Sequence, residues 1–253
     1  MKILGVIPAR YASSRFPGKP LVMINGKSMV QRVYEQAVQC DKLAKVIVAT
    51  DDMAIFNHVS LFGGNVMMTS ESHISGTGRC NEVVVNLRTA GEDYDYVINI
   101  QGDEPFIEPE QIGQVAACFN HPQTQLATLV KKISSAEELA SQHVVKAVVD
   151  KQGYAMFFSR SVIPYVRGKN QQEWLLATTF YKHIGIYGYQ AAVLGKIVNL
   201  PVSELELAES LEQLRWLDHG YRIMTKLTDY ESIAIDTPAD LLKITNKSGT
   251  FDQ

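Results

Sequence analysis

The chain has 253 residues, 46% of them hydrophobic and 20% charged, with a formal net charge of −3. That length buries a large core, and the slightly acidic balance excludes a general polyanion-binding surface, so no nucleic acid partner is expected. Three widely spaced cysteines, Cys40, Cys80 and Cys118, have no CxxC or Cys/His spacing, which argues against a disulfide framework or a zinc site.

The apolar run after Lys2 is too short for a signal-peptide core. No stretch approaches the ~20 apolar residues of a membrane helix. The expectation is a soluble, cytoplasmic protein with no membrane insertion.

In chain order, Lys2 to Pro8 predicts a strand. A helix follows from about Ser28, with Met29, Val30, Val33, Ala37 and Val38 on one face. Lys45 to Thr50 is a buried-strand run, Met53 to Leu61 a helix stopped by Gly63 and Gly64, and Asn65 to Thr69 a short strand. The loop SESHISGTG leads to a helix over about Arg79 to Leu87. Tyr94 to Ile100 is another apolar strand, and Pro109 sits where the first turn of a helix begins.

This alternation predicts an α/β fold, a mostly parallel central sheet with helices on both faces. The alternation then breaks. Leu126 to Ile133, Val144 to Val149 and Tyr154 to Phe158 read as strands with one short helix among them, a smaller mixed-sheet elaboration over about 126–190. VRGKNQQEW after Pro164 reads as an exposed polar loop. From Ser203, apolar residues every third position from Leu205 to Leu217 predict one helix carrying Glu206, Glu209 and Glu212 on another face. A last strand near Ile223 to Leu227 precedes IAIDTP and a closing helix from about Ala239. The whole chain, 1–253, is expected to form a single domain.

The chemistry begins in the first loop. Arg10, Arg15 and Lys19 follow the first strand among Gly, Ser and Pro residues, and the first acidic residue of the chain is Glu35. The loop has neither GxxxxGK[ST] nor GxGxxG spacing. Turn N–H groups with guanidinium and ammonium groups suit phosphate oxygens.

In α/β sheets ligands bind beyond the carboxyl ends of strands, so this loop, the pair Asp51–Asp52 and the QGDEP turn are expected at one edge. Asp103 of that turn reads either as a turn former or as a metal ligand. Asp236 of IAIDTP reads either as a helix N-cap or as a second ligand. The pair matches Mg²⁺ held by a few carboxylates and substrate phosphates. SGTGR, Ser75 to Arg79, opens a helix with an anion-friendly end. HIGIYGY, His183 to Tyr189, reads alone as a core strand, and Glu212–Gln213 alone as an exposed helix face.

Taken in order, PARYASSRFPGKPL, SGTGR, INIQGDEPFI, FSR at Phe158 to Arg160, HIGIYGY, SLEQLR and IDTPADL closely resemble the 3-deoxy-D-manno-octulosonate cytidylyltransferase family, from Pro8 to Leu241. The resemblance implies a glycosyltransferase-A-like nucleotidyltransferase, usually a homodimer. Such an enzyme couples CTP to an acidic eight-carbon sugar with Mg²⁺, for lipopolysaccharide assembly. The elaboration over 126–190 would contribute to the sugar pocket and the dimer interface.

By match to the motifs, Pro8, Ala9, Arg10, Ser13, Lys19 and Gln101 would bind the nucleotide, with Arg10, Lys19 and Asp103 catalytic. Asp103 and Asp236 would hold the metal. Ser75, Arg79, Gln101, Arg160, His183, Tyr187, Glu212 and Gln213 would line the sugar pocket. The chain departs from the family pattern at Gly78, where an acidic residue is usual, at Gln190, and in SQHVVKAVV, which keeps Lys146. These departures leave open the 8-amino analogue of the sugar. A sialic-type acid and a non-catalytic nucleotide-sugar sensor are the remaining alternatives.

Overall fold

The computed structural model describes residues 1–12, 16–231 and 233–242. Two compact units divide them: Met1–Gly113 with 233–242 of the C-terminal segment, and Gln114–Glu231.

The first unit opens with β1 (Ile3–Ala9), buried along nearly its whole length. After the small hairpin of β2 (Met23–Ile24) and β3 (Lys27–Ser28) comes α1 (Met29–Ala37). It starts because the Ser28 hydroxyl accepts from the Gln31 N–H. It buries Met29, Val30, Val33 and Ala37, but Val38, expected on the same face, is 50% exposed because the helix has already ended.

Next come β4 (Lys45–Thr50) and α2 (Met53–Leu61), both with the predicted bounds. Asp52 caps α2 by accepting from the N–H groups of Ala54 and Ile55. β5 (Val66–Met68), α3 (Gly76–Thr89) and β6 (Tyr96–Asn99) follow, then α4 (Pro109–Cys118). α3 begins three residues before the predicted start. Ser75 caps it through the Gly78 N–H, which carries two glycines into the first turn despite their poor helix propensity.

The strand order in this unit is β6-β1-β4-β5, and all three pairings are parallel. The chain winds outward from β1 through β4 to β5, then returns to lay β6 on the other side of β1. That reversal is a topological switch point, where α/β sheets open a crevice beyond the carboxyl ends of the strands.

The second unit contains β7 (Leu126–Lys132), α5 (Ala136–Ala140), β8 (Lys146–Val149) and β9 (Ala155–Ser159). They precede α6 (Trp174–Ala177), β10 (Tyr181–Gln190) and α7 (Ala191–Ile197), a helix the sequence reading did not foresee. α8 (Glu204–Glu209), α9 (Glu212–Asp218) and β11 (Ile223–Leu227) complete it. β7 pairs with β10 antiparallel and with β11 parallel, and β8 and β9 extend from β10 antiparallel. This is the mixed sheet expected of the elaboration.

Two expectations fail here. The segment after Pro164 is not wholly a polar loop. Trp174 is buried against Ile133, Leu139 and Phe180, and its indole N–H donates to the Lys169 carbonyl. The single helix expected from Ser203 is two. Ser210 takes a left-handed conformation at φ 52°, which ends α8 and lets Leu211 and Leu214 turn inward while Leu205 and Leu207 stay exposed.

Candidate active site

The switch point between β1 and β6 carries a cavity of about 250 Å³. Pro8, Ala9 and Arg10 at the end of β1 form one wall, and Gln101, Gly102 and Asp103 after β6 form another. His73 to Gly76 and Arg79 contribute the opening of α3. Lys19, Pro20 and Asp236 close it.

Backbone bonds fix the charged residues. The Gly18 N–H donates to the Tyr11 carbonyl and closes the loop, and Lys19 starts a 3₁₀ turn over Lys19–Leu21. The Ile235 N–H donates to the Asp103 carbonyl, and Ile235 is buried with Ile24 and Met29, so the last segment is pinned beside the QGDEP turn. Lys19 Nζ donates to Asp103 Oδ2 at 2.7 Å and to Asp236 Oδ1 at 3.2 Å. One ammonium therefore serves two carboxylates that lie far apart in the sequence.

Asp236 does not act as the N-cap of the closing helical turn at 238–242. Thr237 does, its hydroxyl accepting from the Asp240 N–H at 3.3 Å. Ser13 and Arg15 lie outside the described residues.

Gly102 makes the close approach possible. A Cβ there would stand 2.6 Å from the Pro8 carbonyl oxygen, a contact with backbone that no side-chain motion relieves. Gly102→Ala is expected to push the 101–103 turn outward and move Asp103 off Lys19. Misplacement of about 1 Å costs on the order of 100-fold in turnover. Steady-state turnover checks this, and activity within a factor of two of the parent would refute it.

Arg79 is almost fully buried, 3% exposed, and already occupied. Its Nη2 donates to Asp51 Oδ2 at 2.6 Å and its Nη1 to the Thr69 hydroxyl at 2.5 Å. Asp51 and Asp52 therefore do not join the cavity wall: the first holds Arg79 and the second caps α2. Gly78 accommodates His73, whose Nδ1 would be 3.0 Å from a Cβ at that position. His73 Nε2 bonds Glu82 Oε2 at 2.5 Å. Burial would raise the Glu82 carboxyl, but hydrogen bonds from the Ser70 N–H and from His73 outweigh it and hold the group below its ordinary range. The two side chains were not singled out from the sequence, because they lie nine residues apart on opposite sides of a helix start.

The remaining candidates belong to the second unit. Arg160 lies half-buried just after β9, held by Glu209. His183 and Tyr187 stand on β10 with ring centroids 5.1 Å apart, backed by Phe158 and Trp216. Gln213 is buried in α9, and Glu212 Oε1 lies 3.7 Å from Arg215 Nη2. Burial pushes the Tyr187 phenol well above its usual range.

Burial also pushes His183 down to about 3, and its Nε2 sits 2.9 Å from the Thr128 hydroxyl. Below the ordinary histidine value of about 6.5 the unfolded chain binds a proton that the folded one refuses. Stability is therefore expected to fall as pH drops through and below that value, by at most about 1.4 kcal/mol per pH unit from this group. Urea unfolding of the parent and of His183→Gln at pH 7.5 and 5.5 tests this. An equal pH dependence in both proteins would rule it out.

Cations, a helix start and paired carboxylates around a crevice at the switch point of a parallel sheet define a nucleotidyltransferase. A family model described as Cytidylyltransferase matches residues 4–225. The 3-deoxy-manno-octulosonate cytidylyltransferase of Parabacteroides distasonis is 56% identical over 247 residues, 96% of each chain. That of Cytophaga hutchinsonii is 49% identical over 98% of each. The solved structure of a CMP:2-keto-3-deoxy-manno-octonic acid synthetase complexed with CTP superposes with a TM-score of 0.89 at 42% identity, covering 98% of this chain and 99% of that one. The chain belongs to the 3-deoxy-manno-octulosonate cytidylyltransferase family. A glucose-1-phosphate thymidylyltransferase described as putative, from Bacillus anthracis, shares the fold at 15% identity, with a TM-score of 0.65.

Proposed function

We infer that this protein joins CTP to 3-deoxy-manno-octulosonate, releasing pyrophosphate and forming the CMP-sugar for lipopolysaccharide assembly. The full-length identity of 56% to a relative of that name carries the reading. The anomeric hydroxyl of the sugar forms a bond to the α-phosphorus of CTP, the bond to the bridging α–β oxygen breaks, and the hydroxyl proton passes to solvent. Such transfers depend on positioning and on neutralising charge at the phosphoryl oxygens.

Arg10, Ser13 and Lys19, with the backbone of Pro8 and Ala9 and with Gln101, are assigned to the nucleotide. Ser75, Arg79, Gln101, Arg160, His183, Tyr187, Glu212 and Gln213 are assigned to the sugar. Asp103 and Asp236 would hold Mg²⁺. The fit is chemical: two hard oxygen donors already share one cationic partner, Lys19, and Mg²⁺ is commonly held by one or two carboxylates plus substrate phosphates. Among the described residues no group of three or more His, Cys, Asp or Glu side chains stands together as a metal site, so substrate phosphate oxygens would have to supply the other ligands. Bound there, the ion would neutralise phosphate charge and lower the pKa of the attacking hydroxyl.

A homodimer in the cytoplasm, with 126–190 contributing to its interface, completes the proposal. The test is pyrophosphate release with CTP and Mg²⁺, offering the octulosonate and its 8-amino analogue in parallel. Turnover of the first sugar, lost in Asp103→Asn, supports the reading. Preference for the amino sugar reassigns the substrate, and silence with both overturns the reading.

A further inference from the structure

Lys146 is fully buried, and no carboxylate among the described residues forms an ion pair with its Nζ, Glu209 acting on it only at longer range. That Nζ donates to three carbonyls, those of Ser141 at 2.8 Å, Val144 at 2.7 Å and Arg160 at 2.5 Å. These bonds use all three ammonium donors. They fasten the turn before β8 to the backbone of Arg160, at the end of β9.

Glu209 completes the hold from α8. Its carboxylate accepts from the Arg160 N–H at 2.8 Å and from the Ser159 hydroxyl at 2.5 Å, and its own carbonyl accepts from Arg160 Nε at 2.8 Å. Arg160 Nη1 reaches the Gln142 carbonyl at 3.2 Å. Nη2 has no partner among the described residues. Burying an ammonium is costly and weakens its charged form, and the left-handed Ser210 ends α8 one residue after Glu209. Two unfavourable features thus converge on the placement of one guanidinium.

We propose that Lys146 and Glu209 are positioning residues that clamp Arg160 from both sides and leave its Nη2 edge presented to the carboxylate of the acidic sugar. The proposal rests on the assignment of Arg160 to the sugar. A guanidinium tied at Nε and Nη1 has lost most of its rotamer freedom before the ligand arrives, so the carboxylate bond costs little further ordering.

The experiment compares Glu209→Gln, Lys146→Met and Arg160→Met in the full chain, reading KM for sugar, KM for CTP, kcat and melting temperature. Glu209→Gln keeps the shape but sets an amide donor against the N–H and hydroxyl donors. Losing one charge-assisted bond predicts a sugar KM raised about 10- to 100-fold, with the CTP KM within twofold of the parent. Lys146→Met is expected to follow the same pattern with a lower melting temperature. Glu209→Asp, keeping the charge, should recover part of the sugar KM.

If Lys146→Met fails to fold, Glu209→Gln alone decides. A lower melting temperature with an unchanged sugar KM in Glu209→Gln overturns the clamp and leaves a structural role. An unchanged sugar KM in Arg160→Met overturns the underlying assignment instead.

Discussion

Lys19→Met is expected to reduce pyrophosphate release from CTP by about 10³-fold, within the range for removing one group that stabilises charge in phosphoryl or acyl transfer. Lys19 Nζ is the point on which Asp103 and Asp236 converge, at 2.7 and 3.2 Å, and its side chain is only 14% exposed. The two carboxylates it serves are 27% and 40% exposed, so water replaces much of what they lose. The stability cost is therefore expected to stay near ~1 kcal/mol, and the variant should fold. Lys19→Arg should recover little, because a planar fork cannot occupy a point shared by two acceptors as a compact ammonium does. Turnover measurements with a circular-dichroism melt decide the matter. A folded Lys19→Met protein with turnover close to the parent's would remove Lys19 from the reaction.

Arg79→Met should act on stability first. The guanidinium is buried, and it holds Asp51, whose side chain is 15% exposed. Removing it leaves a carboxylate with little access to water and no cation, a cost of about 3 kcal/mol. For a chain of this length that lowers the melting temperature by roughly 6–12 °C. The double variant Arg79→Met/Asp51→Leu removes both charges and should recover most of the loss, since replacing a buried pair by apolar side chains is often neutral. A double variant no more stable than the single one would mean that the Thr69 bond, not the ion pair, carries the energy.

These two residues mark how far the sequence could be read. β1, β4 and β6 announced themselves as near-continuous apolar runs, as strands buried on both faces do. The carboxyl ends of β1 and β6 located the cavity, whereas the residues after β4 did not join it, and Arg10 and Lys19 with Asp103 and Asp236 were legible as charged groups of its wall. The partnership of Arg79 with Asp51 was not, because the two lie 28 residues apart and each alone looks like an exposed charge at a loop. The break at Ser210 was hidden because the every-third apolar spacing runs on through it. What ends α8 there is a left-handed turn next to Glu209, whose bonds reach back fifty residues to Ser159. Trp174 was lost in a polar stretch whose composition outweighed one aromatic ring. The burial of Lys146 has no signature in composition or period at all.

The lateness of Asp236 in the chain has a consequence for biosynthesis. Lys19 and Asp103 leave the ribosome with the first half of the chain, but the second carboxylate bonded to Lys19 emerges only after the whole second unit. Ile235, which seals the cluster with Ile24 and Met29, arrives at the same moment. Until then the nascent protein carries a cationic loop with one of its two carboxylates missing and an uncapped apolar patch beneath it. Translation thus completes the acidic pair and closes that part of the first core in a single late step. A chain cut short before residue 235 cannot retain a finished site.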